Sequence, residues 1–106
     1  MSGYLLASYA QQQLDQIYEY IAIQWDEDQA ERYVAQLFDY FSDISSKNVI
    51  WRAVPAEFGV HGYLGKCGHH FVYWKLLAAG DVGIVAMLHE RMHLIAQIRN
   101  VFDEPL

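Results

Sequence analysis

The sequence predicts one α+β domain: an N-terminal strand, an antiparallel helical hairpin, then a three-stranded antiparallel meander, with the helices packed on one face of the sheet. Three observations lead there. From Leu14 to Ile44 the apolar residues recur at three- and four-residue steps, the period of a helix with one buried stripe. After Gly62 the pattern changes to alternation in β-branched and aromatic residues, interrupted by two glycine-containing turns. The chain of 106 residues is long enough for one core and too short for two, so residues 1–106 form a single domain.

Taken in order, "YLLA" (4–7) is a short apolar strand, and Ser8 with Gln11 has the spacing of a capping box that opens a helix. Leu14, Ile17, Tyr18, Ile21 and Trp25 supply its stripe. In the next segment Asp26 or Asp28 can cap, and the acidic cluster suits the positive end of a helix. Ala30, Tyr33, Val34, Leu37, Phe38, Phe41 and Ile44 then carry the second stripe. A link this short makes the two helices antiparallel. Pro55, Gly59 and Gly62 mark an irregular connection to about His61. The meander follows: "GYLGK", a turn at Cys67-Gly68, "HHFVYWKLL", a turn at Gly80-Asp81, and "VGIVAMLH". "RMHLIAQIRNVF", with Met92, Ile95 and Ile98 in step, suits a short C-terminal helix. The sheet face away from the helices is expected to stay available.

Composition excludes several classes. At 54% hydrophobic and 19% charged the chain can bury enough surface to fold, so it is not a disordered segment. Its apolar runs are broken by Lys75, Gly80 and Asp81, well short of the roughly 20 residues that span a bilayer. The start "MSGYLLASYA" does not read as an export signal, and Cys67 is the single cysteine, so a cytoplasmic protein is expected. Seven Lys and Arg against thirteen Asp and Glu give a net charge of -6, which opposes a general grip on nucleic-acid phosphates.

His89-Glu90-Arg91-Met92-His93 spells H-E-x-x-H, the zinc-protease pattern of two histidines one helical turn apart with a glutamate base. The residues leading into His89 alternate like a strand, whereas chelation needs a helix there. A longer zinc signature would need Gly at position 96 and His at 99, where this chain has Ala96 and Arg99. No metal site and no cofactor are therefore expected. His69 and His70, as strand neighbours, point to opposite faces and cannot share an ion; one faces solvent or a partner, and the other lies near the helices with a hydrogen bond. Cys67 has no base or orienting group nearby in sequence and reads as structural. The acidic run from Asp26 to Glu31 reads as a solvated helix start.

Three stretches together resemble a known family. "LDQIYEYIAIQWDEDQAERYVAQLFDYF" is similar to the helical hairpin of the RelE/ParE superfamily, the toxins of bacterial type II toxin–antitoxin modules. "HHFVYWK" is similar to their central strand, and "VAMLHERM" to their last strand with its Leu-His-x-Arg-Met ending. The likeness is to the ParE branch. It implies a growth inhibitor with a cognate antitoxin partner, assembled as a hetero-oligomer, and DNA gyrase or another topoisomerase as the target bound without turnover. The residues it points to for target or antitoxin binding are Tyr73, Lys75, His89, Arg91, Met92 and His93. The alternative is a RelE-like endoribonuclease that cuts mRNA on the ribosome. There His89 or His93 would be the acid or base, Glu90 its partner and Arg91 the phosphate clamp.

Overall fold

The computed structural model describes residues 3–89. The chain forms β1 (Tyr4–Leu6), α1 (Ser8–Gln24), α2 (Glu27–Ser45), a 3-10 turn (Ala56–Phe58), β2 (Tyr63–Cys67), β3 (His70–Leu76) and β4 (Val82–His89). This is the expected α+β architecture, with both helices against one face of the sheet. The helix expected in "RMHLIAQIRNVF" lies outside the described residues.

The sheet order is β1-β4-β3-β2, with the last three strands an antiparallel meander and β1 added parallel to β4 at the far edge. A first strand lying beside the last follows from the hairpin: α1 and α2 carry the chain back across the sheet, so β2 starts at the opposite edge. β4 is therefore central, and Val82–Leu88 are all buried, as the continuous apolar run requires.

Several local expectations are corrected. Ser8 does not cap α1; Ala7 occupies the cap position with extended dihedrals and no side-chain bond. The Ala7 N–H still donates to the Ile84 carbonyl at 2.9 Å, so the chain belongs to the sheet until Ala7 and cannot turn earlier. At α2 Asp26 is the cap, its carboxylate accepting from the Gln29 N–H at 2.7 Å. Trp25, assigned to the first stripe, is 62% exposed because it sits at the tip of the hairpin, beyond the helix it was counted with.

The β2–β3 turn is Gly68-His69, one residue later than expected, with Cys67 paired to His70. Gly68 has φ 61° while His69 stays at negative φ, the requirement of a type II′ hairpin. Tyr33 packs over the turn, and a Cβ on Gly68 would lie 2.7 Å from its ring.

The face opposite the helices is not available in this chain. Val54, Phe58 and Val60 of the connection fold under the sheet and bury Tyr73, Val85, Ala86 and Leu88 in a second core cluster. The main cluster joins Leu14, Leu37, Phe41 and Ile44 of the helices to Val72, Trp74, Val82, Ile84 and Met87 of the sheet. A β-bulge reconciles the two faces of β4: Trp74 pairs with Ile84 but Tyr73 with Ala86, so Val85 has no opposite number. Strict alternation from Val82 and Ile84 would put Ala86 and Leu88 against the helices. The extra residue instead brings Met87 and His89 to that side.

Candidate functional site: a histidine groove between the hairpin and the sheet

The bulge decides the chemistry of a depression beside the hairpin. A groove of about 1000 Å³ runs between the helical hairpin and the β4 end of the sheet, and its wall includes Tyr20, Trp25, Arg32, Tyr33, His69, His70, Met87 and His89. The helices contribute mostly apolar and amide groups, and the sheet contributes imidazoles. Among the described residues none that line it is Asp or Glu. Arg32 supplies positive charge to this wall.

His70 and His89 are cross-strand partners, with ring centroids 5.3 Å apart and nearly perpendicular planes. Their closeness follows from the ladder. Met87 gives its N–H to Gln13 Oε1 and accepts from Gln13 Nε2, both at 2.7 Å, so its backbone groups point away from β3. Val72–Met87 is thus a non-hydrogen-bonded pair, and so is His70–His89 two residues on. Side chains approach most closely in pairs of this type.

Tyr33 of α2 organises the sheet end. Its Oη lies 2.6 Å from His70 Nδ1, accepts the His69 N–H at 3.0 Å, and is 3.4 Å from the Cys67 carbonyl. The hydroxyl has one proton: it donates to His70 Nδ1 in one imidazole tautomer, and in the other it accepts from Nδ1–H and donates to the Cys67 carbonyl. Sequence reasoning assigned Tyr33 to the helical stripe. Its hydroxyl was the available signal, since a stripe position that carries a polar tip needs a partner when half-buried.

The remaining site candidates separate. Tyr73 is fully buried, its hydroxyl donating to the His61 carbonyl at 2.6 Å, so its ring serves the second core. Lys75, next to Trp74 in β3, lies on the opposite face from the groove. Glu90, Arg91, Met92 and His93 lie outside the described residues. His89 itself is the last residue of β4, extended and paired, so the helical i, i+4 geometry of a zinc protease does not start there. Among the described residues no group of three or more His, Cys, Asp or Glu could hold a metal ion. Cys67 is buried, with its thiol 3.9 Å from the Gln36 carbonyl, and burial pushes its pKa up, away from thiolate chemistry. Arg52 and Lys66 border a separate depression of about 500 Å³ beside β2.

With this geometry established, known proteins give the family. Residues 4–94 match the family model described as the ParE toxin of type II toxin–antitoxin systems, parDE. The chain is 28% identical over 98 residues to Toxin ParE of Escherichia coli, covering 92% of this chain and 94% of that one. It is 30% identical over 91 residues to Toxin ParE1 of Mycobacterium tuberculosis, covering 86% and 92%. A solved chain of the chromosomal ParDE system from P. aeruginosa superposes with a TM-score of 0.65 at 15% identity, over 84% of this chain and 96% of that one, a likeness of fold. The chain belongs to the ParE toxins of type II toxin–antitoxin systems.

Proposed function

We propose that this toxin arrests growth by binding DNA gyrase or another topoisomerase in the cytoplasm without turnover, and that a cognate antitoxin neutralises it by occupying the histidine groove. The observation that carries the reading is the family match over residues 4–94. The charge of -6 supports a protein target over a nucleic-acid one. The groove suits a partner segment that covers apolar surface, since Tyr20 and Trp25, both in its wall, are 61% and 62% exposed. Arg91, Met92 and His93 follow His89 in the chain and complete the contact set, whereas Lys75, on the other sheet face, stands outside it.

One observation favours the nuclease alternative. Arg32, Tyr33, His70 and His89 border one groove, which supplies a cation, two imidazoles and an orienting hydroxyl for acid–base cleavage of RNA. Glu90 and Arg91 would join them. Induced expression separates the two. Filamentation with a DNA-damage response is the expected outcome, and purified toxin should inhibit supercoiling by gyrase. Immediate translation arrest with cleaved transcripts, abolished by His89→Ala or Arg91→Ala, would instead establish the nuclease.

A further inference from the structure

We infer that the flank of β4 beyond Ile84 is a strand-acceptor site, occupied in the isolated toxin by the Gln13 carboxamide, and that its occupant is an extended, acidic segment of the antitoxin. The inference rests on the antitoxin reading above and specifies how that partner is held.

β1 pairs with β4 only over Val82, Gly83 and Ile84, and its row then ends as the chain turns into α1. The backbone of Met87 faces the same flank, one strand spacing from where β1 would lie if it were longer. Gln13 fills that position. A primary carboxamide carries a donor and an acceptor in one plane, as a peptide unit does, and Gln13 uses both on the N–H and C=O of a single residue. Its side chain thus does for Met87 what a neighbouring strand would do. An incoming strand offers the same two hydrogen bonds, so the exchange is nearly balanced in hydrogen bonding and releases the Gln13 amide to water.

The surroundings favour that exchange. Gln13, Met87 and His89 all line the groove, so the flank opens directly into it. Among the described residues the charged and titratable lining consists of Arg32, Tyr20, Tyr33 and three histidines, with no carboxylate. A segment with acidic side chains gains electrostatically on arrival, and its apolar residues cover Ile17 and Tyr20 on the wall.

The test uses isotope-labelled full-length toxin, alone and co-purified with the antitoxin encoded beside it. Backbone nuclear Overhauser contacts should run from an antitoxin strand to Met87 in the complex, and the Gln13 side-chain NH₂ should lose its protection from exchange. In the unbound toxin Gln13→Ala should speed exchange of the Met87 amide by about tenfold, the equivalent of one net hydrogen bond. In the complex the same variant should protect that amide as well as the wild type does. Antitoxin affinity should be unchanged or higher for Gln13→Ala, and about tenfold lower for Arg32→Glu. An antitoxin that suppresses toxicity while Gln13 stays on Met87 overturns the acceptor site and leaves the antitoxin reading intact. Contacts to Met87 from this chain's own residues beyond His89 also overturn it, and a toxin that binds no antitoxin overturns both.

Discussion

Individual polar atoms fix the places where helices meet sheet. Tyr33 joins α2 to the β2–β3 turn through one hydroxyl that serves His69 and His70 together. Tyr33→Phe keeps the packing and removes those bonds; urea unfolding should show a loss of about 1–2 kcal/mol, because His70 Nδ1 then loses a half-buried partner. The ring contact between His70 and His89 should loosen as well, visible as a change in the chemical shifts of both imidazoles. Asp26 works at smaller scale. Its carboxylate satisfies one N–H at the start of α2, and Glu27 and Asp28 add negative charge at the positive helix end. Asp26→Ala should cost about 1 kcal/mol in the same assay, and Asp26→Asn should restore most of it.

Among the elements, the helix-to-sheet contact depends on missing side chains as much as on present ones. Gly65 in β2 lies beneath Tyr40 of α2; a Cβ there would run into the Tyr40 hydroxyl and lie 3.2 Å from Trp74 Cη2. Gly62, just before β2, has φ 135°, and a Cβ would sit 2.6 Å from Tyr73 Cε1 and 2.8 Å from the Trp74 carbonyl. The two substitutions should rank by what has to move. Gly65→Ala displaces the end of a tyrosine and should cost about 1 kcal/mol, whereas Gly62→Ala meets backbone in a disfavoured conformation and should cost about 2–3 kcal/mol. Thermal melts of both variants check the order. Around this contact Trp51, Tyr63 and Trp74 pack ring on ring, with Tyr63 stacked on Trp74 at 6.1 Å and Trp51 edge-on to it. Trp51 also donates from Nε1 to the Ile44 carbonyl at 3.0 Å, tying the connection to the end of α2.

At the scale of the whole molecule, two cores on opposite sheet faces make the fold sensitive to high pH. Burial raises the pKa of Cys67 above 9.0, and those of Tyr73 and Tyr40 above 10.0, with charge on Cys67 and Asp43 adding to the effect at Tyr40. Between its unfolded and folded pKa each group holds its proton more firmly in the folded chain, so the unfolded chain binds fewer protons there. Stability is therefore complete below about pH 9 and falls as pH rises through the folded values. Urea titrations from pH 8 to 11 should show this decline, and Tyr73→Phe should flatten its upper part while weakening the protein at neutral pH by the lost bond to His61. Wild-type stability unchanged up to pH 11 would contradict the assignment. The same two-core arrangement leaves the exposed Tyr20 and Trp25 beside Arg32 in the histidine groove.

By itself the sequence determined the elements and their layers. Helical and alternating periods are local properties, and Leu37, Phe41 and Ile44 had to be inside whatever the pairing, whereas alternation left open which apolar side of β3, that of Val72 and Trp74 or that of Phe71 and Tyr73, would meet the helices. The run ending at His89 was legible as a strand, which removed the zinc-protease reading. Tertiary structure alone decided the site. Nothing local marks Val85 as a bulge, yet that one residue reverses the faces of Met87 and His89 relative to Ile84. Nor does local sequence say that Gln13 reaches a strand 74 residues away, or that the connection closes the second face over Tyr73. Period sets which residues are apolar together. Register and loop packing, which depend on contacts far apart in the chain, set which of them meet and which surface remains for a partner.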